Sequence, residues 1–216
     1  MKHVRKEGEP GMFREWKALA REEWQPTWRD LQAPEKPDLH EALIQEQGAV
    51  CCYCGRRITR AGSHIEHFRP RTAYPDRALD YSNLLASCQR NEGRSVPWVC
   101  GRAKDDWFDE DSYVDPQEPS CEQRFRFRSQ GNVEVQPDDD PAATMVRKLN
   151  LNEPFLNELR REILEGAFPN EVLDVEDDAG LTTIADVYGR ADEHGRVPDM
   201  GHVVRRWLED FLKPLS

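Results

Sequence analysis

Four cysteines constrain what this chain can fold into more than any other feature. Cys51 and Cys54 form a Cys-x2-Cys pair in "CCYCGRR", and Cys88 and Cys100 follow with eleven residues between them. A Cys-x2-Cys knuckle places two thiolates on one side of a tight turn, here eased by Gly55, and zinc asks for four such ligands in a tetrahedron. Cys88 and Cys100 are the obvious remaining pair. They are not a second Cys-x2-Cys, so they would bracket a loop; the alternative for them is a role as small buried thiols. Residues 51–104 are short on regular structure and rich in turn signals, so a bound metal would stand in for the core that such a segment cannot build. Cys52 lies between ligands and is expected to point elsewhere. Cys121 has no evident partner and reads as a core thiol.

The chain has 216 residues, enough for one domain, or one with an appendage, and for a real core. Hydrophobic residues make up 38% and charged residues 33%, a globular balance that excludes a disordered or collagen-like chain. No apolar run approaches the roughly 20 residues of a membrane span, so no membrane role is expected. The opening "MKHVRKEGEPGMF" has basic residues with no apolar stretch after them, unlike a secretory signal. The expected compartment is the cytoplasm, where cysteines serve more readily as metal ligands or free thiols than as disulfides.

A net charge of -11 should repel nucleic acid, but the charge is uneven. Residues 51–104 hold ten Lys and Arg against four Asp and Glu, a local +6 that leaves -17 on the rest. This is either chance clustering on a solvated face or a phosphate-binding patch inside an acidic shell.

Residues 1–50 read as mostly helical. "FREWKALAREEW" spaces Phe13, Trp16, Leu19 and Trp24 as one helical face, and "DLHEALIQEQGA" follows with Asp38 as N-cap and Gly48 as stop. "RFRFRSQGNVEVQ" reads as a hairpin. "DDDPAATMVRKLNLNEPFLNELRREILEG" reads as an N-capped helix, a break near Pro154 and a second helix ended by Gly166. "NEVLDVEDDAGLTT" reads as acidic surface, and "HVVRRWLEDFLKPL" as a last amphipathic helix. The expected fold class is α+β.

Between the cysteine pairs lies "HIEHFRP". A glutamate beside a histidine at a strand end, with an asparagine further on, is a hydrolytic arrangement. Glu66 can hold a hard divalent cation, His67 can take a proton from water near neutral pH, and Asn83 can fix a loop through its amide. Alone, a Glu-His pair is more often a surface pair; its place between two halves of a knuckle gives it weight.

The order "CxxC", "IEHFRPR", "DYSNLLASC", "CGRAKDDWFDED" resembles the HNH endonucleases. Three further strings, "EQGAVCCYCGRRI", "WFDEDSYVDPQEPSCEQRFRFRSQGNVEV" and "AATMVRKLNLNEPFLNELRREILEG", are similar to the retron- and Septu-associated HNH proteins of the PtuB type. The likeness covers most of residues 1–166. It implies a zinc-stabilised ββα-metal core over residues 49–112, flanked by a helical segment, 1–48, and a hairpin with a helical region, 113–216. It implies His67 as general base, Glu66 as ligand of a catalytic Mg²⁺ or Mn²⁺, Asn83 as the brace of the histidine loop, and Cys51, Cys54, Cys88 and Cys100 as structural zinc ligands. Arg69 and Arg71 are placed to hold substrate phosphates. The helix residue that HNH proteins commonly use after the last zinc cysteine is Gly101 here; Asn91, Asp105 and Asp106 are the candidates to replace it, Asn91 preferred. The implied partners are nucleic acid, DNA in the first instance, and a PtuA-like ABC- or SMC-type ATPase in antiphage defence. The rivals are a zinc-stabilised binding subunit without catalysis and a structural subunit of the ATPase complex.

Overall fold

A computed structural model describes residues 1–89, 96–168 and 178–212. Over these residues, seven α-helices surround two antiparallel sheets of two strands each, which bears out the α+β class. In the first sheet, β1 (Ser63–His67) pairs with β2 (Leu84–Cys88) in a register that sets Ser63 against Cys88 and His67 against Leu84. All five residues of β2 are buried, the pattern of an interior strand, yet among the described residues β1 is its one strand neighbour. Gln47 covers the other edge. Its Oε1 accepts from the Ala86 N–H at 2.7 Å and its Nε2 donates to the Ala86 carbonyl at 2.9 Å. A buried side-chain amide thus satisfies backbone groups that a third strand would otherwise pair.

Helix α3 (Cys100–Lys104) follows β2 in the element order and packs against it. The expected hairpin is present as β3 (Phe125–Phe127) and β4 (Val133–Val135). Phe125, Phe127 and Val133 point into the core from it.

The flanking helices are α1 (Gly11–Lys17), α2 (Glu35–Glu46), α4 (Asp140–Lys148), α5 (Pro154–Ala167), α6 (Asp178–Gly189) and α7 (Gly201–Phe211). Asp139 caps α4 by accepting from the Ala142 N–H at 3.0 Å, and Pro154 opens α5, where its missing N–H costs nothing. Helix α5 runs one residue past Gly166. Helix α1 stops well before Trp24: Phe13 and Trp16 are buried, but Leu19 and Trp24 are 56% and 38% exposed, so the spacing beyond Trp16 has no core to face. Helix α2 starts at Glu35, so Asp38 lies in its first turn. There its carboxylate suits the positive end of the helix dipole and does not act as a cap. The acidic stretch read as surface continues into α6; its residues 170–177 lie outside the described part.

The C-terminal region lies against the knuckle. The Val197 N–H donates to the Gly48 carbonyl at 3.0 Å, and the Met200 N–H to the Gly55 carbonyl at 2.8 Å. Asp199 accepts from the Arg57 N–H at 2.8 Å. Val203, Val204 and Leu208 of α7 join Phe13, Leu43, Leu84, Leu85, Phe125 and Met145 in one buried cluster. The sheet that carries Glu66 and His67 is therefore held from both flanks. No described helix is long and apolar enough to cross a membrane.

Candidate active site

The four cysteines expected as ligands converge. The Sγ atoms of Cys51, Cys54, Cys88 and Cys100 all lie within 4.8 Å of one another and are buried. Four thiolates about 2.3 Å from one ion would stand about 3.8 Å apart, and Cys54 and Cys88 are separated by 4.0 Å. The turn that sets the first pair is closed by the Gly55 N–H donating to the Cys51 carbonyl at 2.9 Å, with Gly55 at φ 73°, a conformation glycine takes without strain. Hydrogen bonds from the neighbouring thiols hold Cys51 well below the ordinary thiol range although burial opposes this. Burial pushes Cys100 well up. So many thiols in one dry space cannot all ionise without a cation, and the donor set is one that fits a metal such as zinc. Cys52 is buried beside them, outside the cluster, and Cys121 is a buried thiol facing the Pro116 carbonyl at 3.6 Å.

Glu66 and His67 end β1. Because side chains alternate along a strand, they leave it on opposite faces, and Glu66 shares its face with His64. Glu66 is 5% exposed. Its Oε1 accepts from the Tyr53 hydroxyl at 3.1 Å and pairs with the buried Lys104 ammonium at 2.9 Å. Its Oε2 lies 3.3 Å from His64 Nε2. Burial alone would raise the carboxyl, but Lys104 and His64 outweigh it and hold it down at about 2. Glu66 is therefore ionised at neutral pH.

His67 Nε2 donates to the Ala78 carbonyl at 3.1 Å. That bond fixes the tautomer and leaves the lone pair on Nδ1, the atom a base needs. Burial pushes the ring down to about 4, against the Ala78 carbonyl and Glu66, which raise it, so the ring is neutral at physiological pH. Trp28 meets it edge-on at 4.4 Å between centroids.

Asn83 braces the chain on either side. Its Oδ1 accepts from the Arg69 N–H at 2.7 Å, and its Nδ2 donates to the Arg69 and Arg77 carbonyls, each at 3.0 Å.

His64, Glu66, His67, Arg71, Gly101 and Arg102 line a cleft of about 360 Å³. Arg71 also lies 5.9 Å from the Trp28 ring, and Arg102 lies 4.7 Å over Trp98. A neighbouring hollow of about 620 Å³ shares His64, Ile65, Arg71 and Arg102 with the cleft and adds Lys36 and Arg60. Arg69 is not among the residues lining the cleft; its guanidinium pairs with Glu110 at 3.2 Å. Asn91 lies outside the described residues. Asp105 and Asp106 also line the cleft. Among the described residues the four cysteines are the one group of three or more acidic, histidine or cysteine side chains close enough to hold an ion. Asp105 and Asp106 therefore do not join Glu66 and His64. Sequence reasoning passed over His64, Tyr53 and the ion pair of Lys104. The first histidine of "HIEH" was the available signal, since two residues before Glu66 means the same face of a strand.

No protein-family model matches the chain. It is 27% identical over 138 residues to a protein of Vibrio cholerae serotype O1 biovar El Tor named "Retron Vc95 putative HNH endonuclease", a match covering 60% of this chain and 65% of that one. It is 34% identical over 61 residues to "Septu protein PtuB" of Bacillus thuringiensis, covering 27% of this chain and 24% of that one. The matched stretches thus span less than two thirds of either relative. The likeness to HNH endonucleases of the retron and Septu type, drawn above from the motifs, is borne out by these two relatives.

Proposed function

We propose that the chain is a metal-dependent HNH endonuclease that hydrolyses nucleic-acid phosphodiesters, the nuclease effector of an antiphage system. One observation carries the reading: Glu66, paired with Lys104, and His67, its Nε2 committed to a backbone carbonyl, both line one cleft with Arg71 and Arg102. In this reading β1, β2 and α3 are the ββα-metal core, within residues 49–112. Cys51, Cys54, Cys88 and Cys100 hold a structural zinc that keeps the core together. Glu66 holds Mg²⁺ or Mn²⁺ through Oε2, the oxygen that Lys104 and Tyr53 leave. When bound, that cation supplies charge stabilisation at the scissile phosphate and its leaving oxygen.

The chain's own residues do the rest. His67 Nδ1 accepts a proton from the attacking water. Asn83 holds Arg69 and Arg77 in place, so the loop after His67 keeps its course. Arg71 and Arg102 contact phosphates flanking the scissile bond and carry no sequence information. Arg69 reaches substrate only by leaving Glu110.

Two observations favour a second reading, a zinc-stabilised subunit that binds nucleic acid or the ATPase without cutting. Position 101 offers no side chain, and a lysine already neutralises Glu66. The likeness to a Septu protein supports a PtuA-like ATPase partner. The charge split gives it a physical reason: a local +6 cannot capture DNA from afar inside a shell at -17, because screening cuts its reach to about 8 Å. A DNA-binding partner would raise the local concentration of substrate. The experiment is cleavage of single- and double-stranded DNA and RNA by the chain alone and with a PtuA-like ATPase, at matched salt and Mn²⁺. Mn²⁺-dependent cleavage that rises on complex formation is expected. Binding without cleavage in every mixture would establish the second reading, and equal rates with and without the ATPase would remove the partner.

A further inference from the structure

We infer that His64 is the second protein ligand of the divalent cation held by Glu66, and that it takes the place of the helix side chain that Gly101 lacks. The inference rests on the nuclease reading of Glu66 above. His64 and Glu66 project from the same face of β1 toward the first turn of α3. His64 Nε2 and Glu66 Oε2 are 3.3 Å apart, close to the roughly 3 Å that separates adjacent ligands each about 2.1 Å from one cation. The other oxygen of Glu66 is engaged by Tyr53 and Lys104. Among the described residues His64 Nδ1 is buried without a hydrogen-bond partner, so Nε2 is the ring nitrogen with a polar partner.

Gly101 makes the approach possible. A Cβ built there would stand 2.4 Å from Glu66 Oε2 and 2.8 Å from His64 Nε2. No side chain fits at 101 while His64 and Glu66 keep these positions. A ligand from the helix and a ligand from strand position 64 are therefore alternatives, and this sequence has taken the second. The glycine that argues against a catalytic metal in the sequence thus leaves room for the imidazole. A nitrogen ligand also favours Mn²⁺ over Mg²⁺, which takes oxygen.

The test is Mn²⁺ binding to the full, zinc-loaded chain, followed by electron paramagnetic resonance. The wild type is expected to bind one Mn²⁺ and to show spin-echo modulation from a directly bound imidazole nitrogen. His64→Ala should lose that modulation and weaken Mn²⁺ binding about tenfold or more, with zinc content unchanged. Gly101→Ala, which keeps both ligands but forces them apart, should weaken binding too. His64→Leu fills the space without a donor atom and serves if the alanine variant folds poorly. Wild-type affinity, or persisting nitrogen modulation, in a folded His64 variant overturns the inference and leaves the nuclease reading standing. A wild type that binds no Mn²⁺ overturns both.

Discussion

Asn83 commits its amide to two separate carbonyls and one N–H, all in the loops around the site. Asn83→Asp keeps the acceptor but sets a charged oxygen against the carbonyls of Arg69 and Arg77. Losing buried donors in this way costs about 1–3 kcal/mol. The expected outcome is a variant of lower stability in urea that keeps its zinc and cuts slowly, because the backbone after His67 no longer holds its course. Unchanged stability would show that the two hydrogen bonds donated by Asn83 Nδ2 do not matter. The bracing role expected of Asn83 came from the resemblance to HNH proteins, and its hydrogen bonds to Arg69 and Arg77 are consistent with it. The pairing of Glu66 with Lys104 and the room at Gly101 were not legible in the sequence. Both depend on how closely α3 approaches β1, a distance that no local pattern in the sequence encodes.

The knuckle and α7 show the same limit among elements. Cysteine spacing pointed to the four thiols that cluster, since thiolate chemistry and the reach of a tight turn leave few choices. Cys54→Ser is expected to lower bound zinc far below one per chain and to loosen residues 51–104, checked by metal analysis and hydrogen exchange; full retention of metal and protection would contradict the cluster. The periodicity of "HVVRRWLEDFLKPL" gave a helix with an apolar face, but not what that face would meet. It meets the knuckle: a Cβ on Gly55 would lie 2.3 Å from the buried His202 ring. Gly55→Ala should therefore destabilise the protein by more than the roughly 1–2 kcal/mol that a left-handed alanine costs by itself, read from urea unfolding. A smaller change would mean that α7 yields to it. The helix expected through Trp24 failed for a related reason. Spacing alone cannot tell that Leu19 and Trp24 look outward.

Glu122 joins parts of the molecule that are far apart in the chain. Its carboxylate accepts from the His3 N–H at 2.8 Å, pairs with Lys2 at 3.4 Å and accepts from Arg205 of α7 at 3.0 Å. Burial alone would raise its pKa, but these partners outweigh it and hold the carboxyl below its usual range. A carboxyl depressed on folding adds stability above its unfolded value, about 4.3, and that contribution is lost as the pH falls through the folded value. Glu122→Gln should accordingly lower stability at pH 7 by about 1–3 kcal/mol, with the gap to wild type closing in acid. A gap that is constant with pH would mean that the charge does not matter. The same long-range packing presents the Glu66–His67 pair in an arginine-lined cleft, and the claim that this cleft cuts nucleic acid is met most directly by one comparison. Phosphodiester cleavage in Mn²⁺ is measured for the wild type and for His67→Ala, each alone and with the proposed ATPase, at equal zinc content. A loss of about 100-fold or more is expected when a general base is removed. A folded His67→Ala that cuts at the wild-type rate would contradict it.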